Sequence, residues 1–439
     1  MSKSQSIVSS LVQRIQSGEL AVGVRLPPQR QLAAQLGVDL TTVTRAYNEL
    51  KRMGLVEGRA GSGSFVRDAA AASDPGFDLS MNVPPQPPGL AERMAQDLGL
   101  LLAAGGGTLG YQPSGGTARD RAAGARWLAR RLGAVVEERV VVAAGAQSAL
   151  FALLDLLLQR GETLACAALT YPGVRAIALR LGLRLVGLAQ DADGIDPGAF
   201  EDLCRKAPPK ALYLVPTIAS PTTATMPLAR RQAIAATARR HGVALVEDDA
   251  YGALAESAPP PLAALAPEIA WHVASLSKCA TPALRIAYVA APDPRAAVQL
   301  TMGLRAVSLM PSPLLAALAT RWIGDGTLDA FTAAIRAENR ARQSLAAGAL
   351  PGADLAAKPD GNHLWLGLPA GWTGAGFAAA AWESGLLVVP ADAFDVTGSA
   401  PEAVRLSLGG APDRAGLGRA LARLGELLAW PGTPVSAIV

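Results

Sequence analysis

"VASLSKCATPALRIAYVAAP", residues 273–292, sets a single lysine, Lys278, among small and apolar residues and ahead of Arg285. Lysine is scarce in this arginine-rich chain, so one retained in a segment that reads as buried asks for a chemical reason. The surrounding sequence supplies the frame. "RVVVAAG" precedes "AQSALFALLDLLLQRG", "TLACAAL" precedes "PGVRAIALRLG", and "ALYLVP" and "VALVEDD" follow. Continuous Val/Leu/Ala runs alternating with helix patterns predict an α/β domain built on a large parallel sheet covered on both faces. Sites in such sheets collect at the carboxyl ends of the strands.

The polar residues fall at those ends. Gly145, Ala146 and Gln147 form a strand-to-helix turn, where free N–H groups make an anion site. Tyr171 lies just past the next strand, Glu247, Asp248 and Asp249 end another before Tyr251, and Ser275 and Ser277 flank the route to Lys278 and Arg285. Singly, each has an ordinary reading as a turn, a helix cap or a solvated charge. Together they make a site for an aromatic aldehyde phosphate, pyridoxal 5'-phosphate (PLP). A lysine amine forms a Schiff base with the aldehyde, and an aspartate pairs with the pyridinium nitrogen. A tyrosine hydroxyl can reach the phenolic oxygen, while arginine, serine hydroxyls and helix N–H groups bind the phosphate.

Composition bounds the remainder. With 439 residues, 50% of them hydrophobic and 17% charged, the chain is globular and long enough for more than one core. No apolar run is long enough for a membrane span, and the polar residues of "MSKSQSIVSSLVQRIQSGEL" leave no signal-peptide core. Cys166, Cys204 and Cys279 have no metal-ligand spacing and suit a reducing cytoplasm. His241, His272 and His363 are scattered, so no metal site is expected.

Charge is unevenly spread. Residues 1–67 hold nine Lys/Arg and four acids, a balance of +5, whereas the whole chain carries +4. The basic excess therefore belongs to the N-terminal piece, the footprint of a nucleic-acid-binding module on a near-neutral body. Helices are predicted over 6–17 and 29–36, and a third, capped by Thr41, carries Val43, Ala46, Tyr47 and Leu50 and is closed by Gly54. "LVEGRAGSGSFV" reads as two short strands around a turn, a wing. The second helix of a helix-turn-helix enters the major groove N-terminus first, which points Asp39–Arg45 at base edges. Arg25, Arg30 and the backbone of Gly61, Ser62 and Gly63 would meet phosphates.

"SGELAVGVRLPPQRQLAAQLGVDLTTVTRAYNELKRMGLVEGRAGSGSFV" resembles the GntR-type winged helix-turn-helix over nearly the whole domain. The resemblance implies DNA contacts from Arg30, Thr41, Thr42, Arg45 and the 61–63 wing. Leu40 departs from it, standing where many relatives carry arginine. Residues 68–77 read as a linker, and residues 78–439 resemble the fold-type I aminotransferases, with a small α+β domain after the large one. That resemblance makes Lys278 the Schiff-base lysine, Asp248 the pyridinium partner, Tyr251 the phenolic-oxygen contact and Tyr171 the stacking ring. It assigns Gly145, Ala146, Gln147, Ser275 and Arg285 to the phosphate, with Tyr111 of "GYQPSGG" reaching the phosphate of a partner subunit. Arg405 of "AVRLSLGG" would grip a substrate carboxylate, and "GNHLWLGLP" would be the small-domain strand before it. One loop departs: "SPTT" stands for the family's NPTG, so that Ser220 replaces an asparagine that bonds the ring oxygen.

The two halves together resemble the MocR subfamily of transcription regulators. The resemblance implies a cytoplasmic homodimer that binds an operator in double-stranded DNA. Its PLP domain would sense a small amino compound, or PLP itself. An aminotransferase with an appended DNA-binding domain is the alternative, favoured by the complete Lys/Asp/Tyr/Arg set and disfavoured by Ser220 and the basic head. A large domain serving only as a scaffold is hard to square with the retained Lys278 and Asp248.

Overall fold

The computed structural model describes residues 7–8, 11, 20, 24–52, 56–59, 63–66, 76–105 and 109–429. The chain divides into two compact units, Met1–Gly76 and Phe77–Val439.

In the smaller unit, the helix Gln29–Leu36 forms with the predicted bounds. It ends where Gly37 takes the left-handed conformation (φ 62°), a conformation that glycine adopts without a Cβ penalty. The next helix is Leu40–Arg52. It starts two residues earlier than a Thr41 cap would give, because the Asp39 carbonyl already accepts from the N–H groups of Thr42 and Val43. Thr41 therefore lies in the first turn and is not the cap. Val43, Ala46, Tyr47 and Leu50, spaced to one helical face, are buried with Leu26, Val56 and Val66. Ile7, Val8 and Leu11 are helical, and Ile7 and Leu11 join this core. The rest of the helix expected over 6–17, together with Gly54, Gly61 and Ser62, lies outside the described residues. Strands β1 (Val56–Arg59) and β2 (Gly63–Val66) pair antiparallel as the wing.

The larger unit opens with β3 (Phe77–Asp78), so Phe77, which the sequence reading gives to the linker, is a buried strand residue. Its main sheet has seven strands. In chain order they are β4 (Val140–Ala143), β5 (Thr163–Ala167), β6 (Arg184–Leu188), β9 (Ala211–Leu214), β10 (Ala244–Asp248), β11 (Ala270–Ser275) and β12 (Ala287–Ala290); a small hairpin, β7 (Gln190–Asp191) and β8 (Gly194–Ile195), intervenes. The spatial order is β4-β12-β11-β10-β9-β5-β6. Pairing is parallel except around β12, which runs antiparallel to both neighbours. The reason is length: a parallel crossover needs about a dozen or more residues, usually a helix, and the Leu276–Ile286 connection is too short for one.

Both faces of the sheet are covered, as the strand alternation shows. Val140 and Val142 pack with Trp127, Leu128 and Trp322 on one face, whereas Val141 packs with Leu150, Leu153 and Leu300 on the other. Each fully buried side chain of this kind contributes about 1.5–3 kcal/mol. A second sheet comprises β13 (Asp354–Ala357), β14 (His363–Gly367), β16 (Val389–Pro390) and β17 (Ala403–Ser407), in the order β13-β14-β17-β16. Beside it, β15 (Leu386–Leu387) pairs with β3. The "GNHLWLGLP" segment is thus β14, hydrogen-bonded along its length to the strand that carries Arg405.

One buried cation shapes the loop that carries Ser220. Arg231, fully buried in the helix Leu228–His241, donates to the carbonyls of Met226 (2.9 Å) and Pro216 (2.8 Å) and to Thr217 Oγ1 (3.0 Å). It spans both ends of that loop with one planar fork, a task lysine could not perform. Replacing Arg231 with methionine leaves those buried acceptors unpaired. Urea unfolding of Arg231→Met is expected to show a loss of about 3–5 kcal/mol.

Candidate functional site

A cavity of about 160 Å³ opens at the carboxyl ends of the main-sheet strands. Asp248, the last residue of β10, faces it, whereas Glu247 and Asp249 do not line it. Strand alternation separates the three acids. Glu247 accepts from the backbone N–H groups of Leu262 and Ala263 and pairs with His272 Nδ1 at 3.0 Å. Asp249 accepts from Arg131 Nε at 3.1 Å. Burial alone pushes the Asp249 carboxyl up, but Arg131 and His272 outweigh it and hold it below the usual range.

Asp248 makes no salt bridge of its own among the described residues, although Lys278 and His272 act on it through space. Its Oδ2 accepts from the Tyr213 hydroxyl at 2.9 Å, and its buried Oδ1 has no partner within the protein. Burial pushes its carboxyl up to about 6. Lys278 also lines the cavity, and burial, reinforced by Arg405, pulls its ammonium down to about 8. The neutral form, in which lysine is a nucleophile, then rises from about a tenth of the amine at pH 7 to about half at pH 8. Its Nζ donates to the Asn82 carbonyl.

Ala146 and Gln147 line the cavity from the N-terminus of the helix Ala146–Leu157, whose first turn has no side-chain cap. Gly145 precedes it at φ 88°, and a Cβ there would lie 2.7 Å from Arg285 Nη2. The glycine lets the guanidinium settle against the turn, beside the helix N–H groups. Ser275 and Ser277 complete this end, their hydroxyls 3.0 Å apart. Tyr171, partly exposed, lies over Gly173, where a Cβ would sit 2.2 Å from its ring, and donates to Gln147 Oε1 at 3.1 Å. Ser220 lines the cavity with its buried hydroxyl unpartnered.

Arg405 approaches from β17. It is buried, its Nη2 donates to the Ser80 carbonyl, and its guanidinium lies 5.1 Å from the centre of the Phe394 ring. Its Nε is buried without a partner. Tyr251 is buried on the same side, accepting from Asn82 Nδ2 at 2.6 Å. Its hydroxyl is raised well above the ordinary phenol range, by burial first.

The cavity thus gathers Ala146, Gln147, Tyr171, Ser220, Asp248, Tyr251, Ser275, Lys278, Arg285 and Arg405, with Gly145 at its edge. Tyr111 does not line it and is 85% exposed. Three neighbours escape the sequence reading as site residues: Asn82, Tyr213 and His363. The His363 ring lies tilted against Tyr251 with centres 5.4 Å apart, and burial, with Arg405 nearby, pushes its imidazole down to about 3. Neutral His363 therefore donates from Nε2 to the Ala219 carbonyl (3.3 Å) and offers Nδ1 toward Asn82. Tyr213 sits in the apolar run of β9, where a hydroxyl aimed at the neighbouring strand leaves no signal in periodicity.

In the head, Arg25, Arg30, Thr41 and Arg45 are exposed and Thr42 is half-buried. Gly63 (φ 107°) lies against Arg25, whose Nε would be 2.8 Å from a Cβ there. No group of metal-ligating side chains occurs among the described residues, and no helix among them is long and apolar enough to cross a membrane.

Residues 74–424 match the family of class I and II aminotransferases, and residues 3–66 match the gntR family of bacterial regulatory proteins. The chain belongs to the class I and II aminotransferase family. Its gntR-family head gives it the two-part architecture of the MocR subfamily. The HTH-type transcriptional regulator YdeF of Bacillus subtilis is 29% identical over 414 residues, covering 92% of this chain and 89% of its own. The pyridoxine biosynthesis transcriptional regulator PdxR of Corynebacterium glutamicum is 29% identical over 386 residues, covering 82% and 83%. Among solved structures, the α-aminoadipate aminotransferase LysN of Thermus thermophilus, complexed with N-(5'-phosphopyridoxyl)-L-leucine, superposes with a TM-score of 0.73 at 26% identity. That superposition covers 81% of this chain and 92% of that one.

The cofactor of the family domain is PLP, and the residues present fit it. The unpartnered Asp248 Oδ1 suits a pyridinium N–H, and the Gly145 turn with Arg285 suits a phosphate. A methyl group at 145 would intrude on that cradle and sit at a φ costly for any side chain, by about 1–3 kcal/mol. Gly145→Ala is expected to weaken PLP binding by about tenfold or more, read by fluorescence titration, with a lowered Tm.

Proposed function

We propose that this protein is a DNA-binding transcription regulator whose large domain holds PLP on Lys278 and responds to an amino compound. The observation that carries the reading is one cavity in which a partly neutral buried lysine, an unpaired carboxylate oxygen and a buried arginine converge. The head, residues 1–67, would bind double-stranded operator DNA through Arg25, Arg30, Thr41, Thr42, Arg45 and the 61–63 wing. The linker would end at Gly76, and Phe77–Val439 would be the sensing and dimerising domain. Relatives named as transcriptional regulators across most of both chains support this division of labour.

Bound PLP supplies an aldehyde that condenses with primary amines and a pyridinium ring that withdraws electrons. Each residue then has a task. Lys278 offers its Nζ to the aldehyde carbon. Asp248 holds the proton on the ring nitrogen, and Tyr213 keeps that carboxylate ionised and aimed. Gly145, Ala146 and Gln147, with Ser275 and Arg285, would hold the phosphate; Tyr171 would cover the ring, and Tyr251 would reach its phenolic oxygen. Arg405 has an unpartnered Nε for a ligand carboxylate. Exposed Tyr111 would serve the phosphate of a second copy in a homodimer. Ser220, shorter than an amide side chain, offers the ring oxygen a weaker contact, which favours sensing over rapid turnover. For DNA affinity to respond, the ligand must bind one conformation better than the other.

Two measurements test the reading. The purified protein is expected to show a visible absorption band that borohydride removes and that Lys278→Ala lacks, with the variant still folded. A wild type without the band after PLP is added would defeat the proposal. Asp248 must be ionised to pair with the ring nitrogen, so PLP affinity should rise with pH through about 6. Tyr213→Phe removes a bond that lowers that value, so the rise should move upward by about one pH unit in fluorescence titrations.

A further inference from the structure

After β3 the chain crosses beside the cavity as a strap, Asp78 to Val83. Its start is tied down. Asp78 Oδ1 accepts from Ser80 N (2.8 Å), Ser80 Oγ (2.6 Å) and Met81 N (3.2 Å). Leu79 donates to the Leu387 carbonyl, and its own carbonyl accepts from Ser407 N. Gly409 and Gly410 leave the strap room: a Cβ at Gly409 would lie 1.9 Å from the Val83 carbonyl oxygen, and one at Gly410 2.6 Å from that of Asp78.

Its far end is held by the site itself. Asn82 Nδ2 donates to Tyr251, the Ser80 carbonyl accepts from Arg405 Nη2, and the Asn82 carbonyl accepts from Lys278 Nζ. The strap backbone is therefore fastened by both side chains that an amino acid would engage. Arg405 can keep Ser80 through Nη2 while its unpartnered Nε takes a carboxylate. Lys278 cannot serve twice in that way.

We infer that the Asn82 carbonyl receives Lys278 whenever a primary amino compound displaces it from the cofactor, so that ligand capture fixes the strap. The inference rests on the reading that Lys278 carries PLP. In the exchange, the incoming amine takes the carbon that Lys278 held and gives up two hydrogens. Lys278 leaves as a primary amine carrying two, and no oxidant or reductant is needed. A buried amine without an acceptor is costly, and the Asn82 carbonyl is within its reach. The ligand class is a primary amino compound, and a carboxylate adds the Arg405 contact.

The test is hydrogen exchange of the Ser80–Val83 amides in the PLP-loaded full-length protein, with aminooxyacetate as probe and glycolate, which lacks the amino group, as control. Aminooxyacetate is expected to shift the visible absorption and to slow exchange about fivefold, the worth of one hydrogen bond. Glycolate should do neither. Borohydride places a hydride on the cofactor carbon and a proton on the Lys278 nitrogen, locking the two together, and protein so reduced should show no slowing. An absorption shift with unchanged exchange, or slowing that persists after reduction, overturns the strap inference and leaves PLP on Lys278 standing. No absorption shift with aminooxyacetate overturns both.

Discussion

The site depends on keeping one carboxylate charged where water cannot reach it. Asp248 is buried at the end of a central strand, and desolvation pushes its carboxyl toward neutrality. Two acids stand beside it in sequence, and either could make matters worse. The pleat of β10 resolves this by sending Glu247 and Asp249 away from the cavity into a network of His272, Arg131 and backbone N–H groups. Asp248 is left with Tyr213 on one oxygen and a free acceptor on the other. A cation on that second oxygen would have satisfied the protein and left nothing for a ligand.

The same economy recurs around the cavity. Arg405 and Arg285 are both brought to it by backbone arranged to receive them, Arg405 through the Ser80 carbonyl and Arg285 through the missing side chain at Gly145. Lys278 lines the cavity, and burial with Arg405 and Arg285 lowers its proton affinity by more than Asp248 raises it. Polar groups left without protein partners are expensive in an ordinary core; those of Asn82, Ser220, Asp248 and Arg405 line this cavity, where a ligand could satisfy them.

Much of this was legible in the sequence. Apolar runs alternating with helices pointed to the sheet, and polar residues at strand ends pointed to the cavity. Asp248, at the end of β10, meets Lys278 and Arg285, in the connection between β11 and β12, because β10 and β11 lie side by side. What escaped depends on direction in space. Tyr213 looks like any aromatic in a buried strand, and Asn82 contributes a backbone carbonyl, an atom every residue possesses. His363 is one of three scattered histidines in the sequence, and its place against Tyr251 follows only once β14 is laid beside the cavity. The antiparallel β12 could have been read from the length of the loop before it. The early start of the helix at Leu40 turned on one carbonyl, that of Asp39.

The alternation of β10 also determines what kind of genetic change this site can survive. A substitution at Glu247 or Asp249 disturbs the network behind the sheet and leaves the direction of Asp248 intact. Inserting or deleting one residue within the strand would exchange the two faces. Two acids would then enter the cavity, and one would be stranded among Arg131, Arg231 and His272. Across descendants of this chain, the length of that strand should drift far less than its composition.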